Sequence, residues 1–401
     1  MKRFSIVSII LIVVLTVLAA CGPSAAPTPT PTPVPPTPTP VPPKQPPTSK
    51  PTEEAKPTEA AKEEPQLAPE LNVFNWTDYI DEEVLTQYEE TYGVKINYDT
   101  YASNEELLAK LQAGATGYDV IFPSDYMVTQ MIELGLLAEI DLNNIPNFKD
   151  VMDMFKDPPF DPGNKHCVPY QWGTTGLGYH IPTFGDEVPD SWAYLFEPEY
   201  LKRYADKGVN VLDDQRELIG AALKYLGYSV NDTNEEHLYE ARDLILKAKP
   251  YWKTFNSSDY DDTLLIPGEV VLSHGWSGDV FVAVWETYDE ENDEPVWWYS
   301  IPKEGAVVWV DNMCIPASST RKRTAEHFIN YLLSPEVQAA ITNYTYYASP
   351  SEAAKQYIDE EILNEPAIYP PDEVLSKLEW LEAVGDALRI YDQIWTEIKS
   401  Q

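Results

Sequence analysis

The stretch VPYQWGTTGLGYHI, residues 168–181, is long and extended, as a strand would be that crosses from one lobe of a protein to another. AVVWVDNMCIP, residues 306–316, is a candidate for the return crossing. What lies on either side decides whether there are two lobes to cross between. Upstream, Val84, Leu85, Tyr88 and Tyr92 fall on one helical face with Gly93 as a stop, and VKINYDTY (94–101) alternates like a strand. Ser103 and Glu106 form a capping box that opens a helix with Leu107, Leu108 and Leu111 inward, closed by Gly114. YDVIFPS (118–124) then reads as a buried strand and YMVTQMIELGLL (126–137) as a helix, so βαβα units favour a parallel sheet. Downstream, VNVLDD (209–214), RELIGAALKYLG (216–227), a helix around 237–252 and the strand EVVLSHGW (269–276) repeat the alternation. The expectation is an α/β protein of two lobes joined by crossing strands, with no internal repeat of solenoid period.

Before this globular part come two segments of different character. Lys2 and Arg3 precede the apolar run FSIVSIILIVVLTVLAA, a secretory signal that ends at LAAC; Leu18 to Cys21 resemble the lipobox of bacterial lipoproteins, in which the Cys receives the lipid. An uncleaved membrane anchor is the alternative, since the run is near the lower length limit for spanning a bilayer. Both place the folded part outside the cytoplasmic membrane. Residues 23–69 hold 17 of the 36 prolines and almost no large apolar side chain before Leu67, so they read as an extended tether.

Charge narrows the partner. With 65 acidic and 28 basic residues the chain carries −37, and a chain beginning at Cys21 would carry 26 − 65 = −39. Phosphate binding needs the opposite sign, so nucleic acid is not expected as a partner. Eleven Trp and 26 Tyr supply flat faces, and flat faces with carboxylates suit an organic cation.

Acidic and aromatic residues recur where strands end. Asp78 lies between Trp76 and Tyr79; Ser124, Asp125 and Tyr126 follow DVIFP; Asp213, Asp214 and Glu217 follow VNVL; Trp276 and Asp279 follow VVLSHG; Trp309 and Asp311 sit in GAVVWVDN. Ligands of open α/β sheets bind outside the carboxyl ends of strands, so these side chains can reach one cleft. Several have a purely structural alternative: Trp76 and Tyr79 could simply cover the edge of the core. Asp78 could cap the helix that begins near Asp81, Asp213 or Asp214 is a candidate N-cap, Glu217 suits a first helical turn, and Trp309 could be core. Asp311 is harder to dismiss, because a carboxylate in such an apolar run is costly to bury without a partner.

Catalytic and metal motifs are not found. GWSGD (275–279) has Asp279 where the second glycine of a nucleophile elbow should stand, WGTTGLG spaces its glycines wrongly for a dinucleotide fingerprint, and the five histidines show no metal spacing. Cys167 and Cys314 lie in the two crossing segments, where a disulfide and free buried thiols are both open.

The segments NWTDYI, YDVIFPSDYMV, VPYQWGTTGLGY, SWAYLFEPEYL, LDDQRELIGAALKYLGYS, GWSGDVFVA, YSIPKEGAVVWVDNMCIPA and NYLLSPEVQ resemble, in order, the spermidine/putrescine-binding proteins of bacterial ABC importers. The resemblance implies the periplasmic-binding-protein type II fold, with lobe 1 from 71–170 plus about 309–348 and lobe 2 from about 171–308 plus 349–401. It implies capture of a polyamine, delivery to an ABC permease and its ATPase, no cofactor and no enzymatic activity, in a lipid-anchored monomer. Family binding positions fall on Trp76, Asp78, Tyr79, Ser124, Tyr126, Asp214, Glu217, Trp276, Asp279, Trp309, Asp311 and Tyr347. Asp279 in GWSGD is similar to putrescine-preferring members, and Trp309 and Tyr126 to spermidine-preferring ones; Leu381 stands where spermidine binders carry a glutamine. A binding protein for another small solute and an extracellular carbohydrate-active enzyme are the rival readings, since paired carboxylates and tryptophans also suit glycosides.

Overall fold

The computed structural model describes residues 66–114 and 117–400. The signal at 1–20, the candidate lipidation site Cys21 and all but the end of the tether lie outside the described residues. Among the described residues there are nine strands: β1 (Glu70–Trp76), β2 (Lys95–Tyr101), β3 (Val120–Ile121), β4 (Cys167–His180), β5 (Val209–Val211), β6 (Thr254–Phe255), β7 (Leu272–Trp276), β8 (Trp297–Ser300) and β9 (Val308–Cys314). They join in the order β2-β1-β3-β9-β4-β7-β5-β6, with β8 beside β4.

The crossing segment organises this order. The first half of β4, Cys167 to Thr174, pairs with β9, and the second half, from Thr175, pairs with β7 and β8, all antiparallel. On the β9 side follow β3, β1 and β2, and on the β7 side β5 and β6, with the pairs β1/β2, β1/β3, β5/β6 and β5/β7 parallel. The parallel sheet read from the alternation of elements is therefore present twice, and the crossing strands add the antiparallel ladder between. From Cys167 to Tyr179 every residue of β4 is buried, which explains an apolar, glycine-spaced run with little period-two alternation.

Local signals set the helices. Asp81, rather than Asp78, caps the helix Glu82–Tyr92, accepting from the Glu83 N–H at 2.9 Å, and Gly93 closes it at φ 67°. Tyr92 is 41% exposed, so the inward face is Val84, Leu85 and Tyr88 only. The Ser103 hydroxyl accepts from the Glu106 N–H at 3.1 Å while the Glu106 carboxylate accepts from the Ala102 N–H, one residue earlier than in the usual box. Asp214 caps the helix Gln215–Tyr225 through the N–H groups of Arg216 and Glu217. The YDVIFPS strand shortens to Val120–Ile121, and Ser124 already stands at the N-cap position of the helix Asp125–Glu133.

Cys167 and Cys314 are register partners on β4 and β9 and are joined as a disulfide. No helix of the described residues is long and apolar enough to cross a membrane.

Candidate functional site

β9 delivers Trp309 and Asp311 from one face of the crossing ladder, since strand residues two apart share a face. Both are buried. The Asp311 carboxylate accepts from the Tyr79 hydroxyl at 2.7 Å and the Ser124 hydroxyl at 2.6 Å. Burial drives its pKa up to about 7, and those two hydrogen bonds only partly oppose the shift.

Asp279, in the first turn of the helix Ser277–Glu286, has a matching arrangement. Tyr347 donates to it at 2.6 Å, and burial, aided by the charges of Asp78 and Asp259, pushes its pKa up to about 6 against the hydrogen bonds of Tyr347 and Tyr260. The Tyr79 and Tyr347 rings meet edge to face at 5.3 Å, and Trp309 packs on Tyr347 at 5.1 Å. The two carboxylates are thus joined through a pair of tyrosines. Glycines make room for them. A Cβ on Gly278 would lie 2.6 Å from the Tyr347 ring, and one on Gly173 would lie 2.7 Å from Trp309.

A second acidic group lies where β5 runs into the helix Gln215–Tyr225. The Trp276 indole donates to Glu217 at 3.3 Å, and the other Glu217 oxygen is buried without a partner. Burial first and the Asp214 charge second push the Glu217 pKa up to about 8. Tyr126 approaches from the other half of the sheet. Its hydroxyl accepts from Asn104 at 3.1 Å and donates to Glu105 at 3.4 Å; although Glu105 reaches solvent, desolvation of its carboxyl first and the Asp214 charge second push its pKa up to about 7. Asn104 also donates to Ser124 at 3.0 Å, which ties Tyr126 to the Asp311 group.

Of the twelve sequence candidates, Tyr79, Ser124, Asp279, Trp309, Asp311 and Tyr347 form one contact network, and Tyr126, Asp214, Glu217 and Trp276 gather around the second. Asp78, at φ 51°, acts on Asp279 through its charge. Trp76 stands to one side, its indole donating to the Phe122 carbonyl at 2.8 Å and its ring tilted on Tyr101. Tyr260 was missed, although it accepts from the Trp276 N–H at 2.8 Å and faces Asp279. Its only sequence signal was an aromatic residue within SSDYDD. Glu105 was hidden because a carboxylate in a first helical turn has an ordinary structural explanation. Leu381 is buried beside Phe155, Phe160 and Trp380 around a cavity of about 280 Å³.

Chemically, the site offers carboxylates bonded to neutral hydroxyls and an indole. Among the described residues, no Lys, Arg or His lies within ion-pairing distance of Asp279, Asp311 or Glu217. No group of described residues could hold a metal ion. His274 is buried with neither ring nitrogen partnered, while Ser277 accepts from the Thr174 N–H, so GWSGD holds no nucleophile and base pair.

Comparison with known proteins gives consistent results. The family model for bacterial extracellular solute-binding proteins matches residues 83–370. A putrescine-binding periplasmic protein of Pseudomonas aeruginosa is 38% identical over 338 residues, covering 82% of this chain and 92% of its own. The spermidine/putrescine-binding periplasmic protein of Salmonella typhimurium is 35% identical over 331 residues, covering 82% and 91%. Among solved structures, a spermidine/putrescine ABC transporter substrate-binding protein of Streptococcus pneumoniae superposes with a TM-score of 0.70 at 32% identity, over 83% of this chain and 99% of that one. A lipoprotein of Treponema pallidum gives 0.73 at 29%, over 83% and 100%.

Proposed function

This chain belongs to the bacterial extracellular solute-binding proteins, and from that premise we propose that it captures a polyamine, putrescine or spermidine, and delivers it to an ABC importer. The observation that carries the reading is the pair Asp311, buried, and Asp279, half-buried, carboxylates whose hydrogen bonds come from the neutral hydroxyls of Tyr79, Ser124 and Tyr347. A buried carboxylate without a cation is unfavourable, and an ammonium group supplies both the missing charge and further donors. In this reading Asp279 and Asp311 take one ammonium group, Asp78 and Glu217 make the further amine contacts, and Asp214, Tyr126, Tyr79, Ser124 and Tyr347 hold those carboxylates in place or contact the amines. Trp76, Trp276 and Trp309 cover the methylene chain, each buried methylene contributing about 0.8 kcal/mol.

Transport follows from a two-lobed arrangement. Lobe 1 (71–170 plus about 309–348) and lobe 2 (about 171–308 plus 349–401) close over the amine, because only the closed form makes contacts from both sides. A permease with its ATPase accepts the closed monomer, which a lipid on Cys21 and the proline-rich tether keep at the outer face of the membrane.

The test is calorimetric titration of the domain starting near Glu70, unfolded and refolded to strip carried-over ligand, against putrescine and then spermidine at two salt concentrations. Saturable one-to-one binding to either is expected. A folded protein that binds neither would overturn the reading.

A further inference from the structure

We propose that Asp125, which lies between Ser124 and Tyr126 and is none of the residues assigned to the ligand above, is a specificity-determining residue that makes affinity rise with the positive charge of the ligand. The inference rests on the polyamine reading.

Asp125 opens the helix Asp125–Glu133 and is completely buried. One of its oxygens accepts from the Tyr126 N–H at 2.7 Å; the Val310 N–H of β9 also faces the carboxylate, but the second oxygen makes no well-aligned hydrogen bond. Helix architecture does not require this carboxylate, because Ser124 already occupies the N-cap position and its hydroxyl is committed to Asp311. A neutral side chain there would avoid the cost of burying an unsatisfied oxygen.

Its surroundings give the charge a use. Asp125 is within electrostatic reach of Asp311 on β9 and of Arg216 and Glu217 on the helix Gln215–Tyr225. It is therefore coupled electrostatically to both acidic groups of the site. Glu217 also keeps one buried oxygen unpartnered. Arg216, the cation in this neighbourhood, donates to the Glu382 carbonyl at 2.9 Å and the Asn231 side chain at 2.8 Å, with its Nε left unpartnered. Its positive field acts on Asp125 and Asp214 with no carboxylate bonded to the guanidinium itself. Asp125 opposes that field. Burial, with the Asp311 charge, favours the neutral acid in the empty site, while the Tyr126 and Val310 N–H groups, Arg216 and an incoming ammonium draw Asp125 toward its ionised form.

A charge that acts through space contributes energy in proportion to the ligand's charge, whereas a packing defect costs every ligand alike. The experiment is titration of wild type, Asp125→Asn and Asp125→Glu with N-acetylputrescine, putrescine and spermidine, which carry one, two and three positive charges. Asp125→Asn is expected to lose roughly threefold in affinity per ligand charge, so that spermidine suffers most, and Asp125→Glu to restore most of the loss. An equal loss for all three ligands, or none, would overturn the proposal. If Asn does not fold, Asp125→Ser provides a second neutral replacement that suits a helix start. Failure of wild type to bind any of the amines would instead sink the polyamine reading.

Discussion

Asp311 carries a carboxylate into an apolar strand where two neutral hydroxyls receive it. Asp311→Asn keeps the shape and removes the charge, so polyamine affinity should fall by about 100-fold or more, within the range for losing one partner of a buried charged pair. The unliganded protein should melt no lower, because an amide has no ionised form to desolvate; differential scanning of both proteins, with and without putrescine, checks both parts. The pH dependence follows from the same groups. Asp279, Asp311 and Glu217, at about 6, 7 and 8, lie above the ordinary carboxylate values of about 4. Between those limits the native state holds more protons than the unfolded chain. The part of unliganded stability due to these groups is thus fully present below about pH 4 and is lost as pH rises toward about 8. Ligand binding runs the other way, since an ammonium favours the ionised carboxylates. Affinity should weaken as pH falls from about 8 to about 6, with protons released on binding; titrations in buffers of different ionisation enthalpy would count them, and no release would contradict the assignment.

The elements fix where those side chains stand. Tyr347 reaches Asp279 only because the helix Ser277–Glu286 presents Gly278 to its ring. Gly278→Ala places a carbon 2.6 Å from that ring, closer than real contacts allow, so Tyr347 or the helix must shift. We expect at least a tenfold loss of affinity, accompanied by a red-shifted or quenched tryptophan signal from Trp309, which packs on Tyr347. Unchanged titration and fluorescence would show that the helix yields without disturbing the site. At the other end of β9, the Cys167–Cys314 bridge ties it to β4 across a sequence separation of 147. Replacing both cysteines by serine should lower stability by about 2–5 kcal/mol, read from denaturant midpoints, because the bridge restrains a long loop in the unfolded chain.

For the whole molecule, ligand stabilisation follows mass action: at a concentration 100 times the dissociation constant, a polyamine should add about 2.7 kcal/mol to the stability of the unit that carries the site. Melting curves across a putrescine series test this, and a midpoint independent of concentration would speak against specific capture. Much of this architecture was legible in the sequence. The crossing run at 168–181, the alternation of helix and strand on both sides of it and the acid–aromatic pairs at strand ends are local patterns, governed by periodicity and capping that neighbouring residues express by themselves. The family followed from ordered segments spread along the chain, and the comparisons bear it out. Other features depend on residues far apart in the chain. Tyr260 meets Trp276 and Asp279 across a fold, and Cys167 finds Cys314 because β4 and β9 share a register. Sequence alone determined which residue types could serve a cation, since charge and aromatic character belong to each side chain. Only the tertiary structure decided which carboxylates lie buried beside neutral partners, because desolvation is a property of what surrounds a group, and those surroundings are assembled from distant parts of the chain.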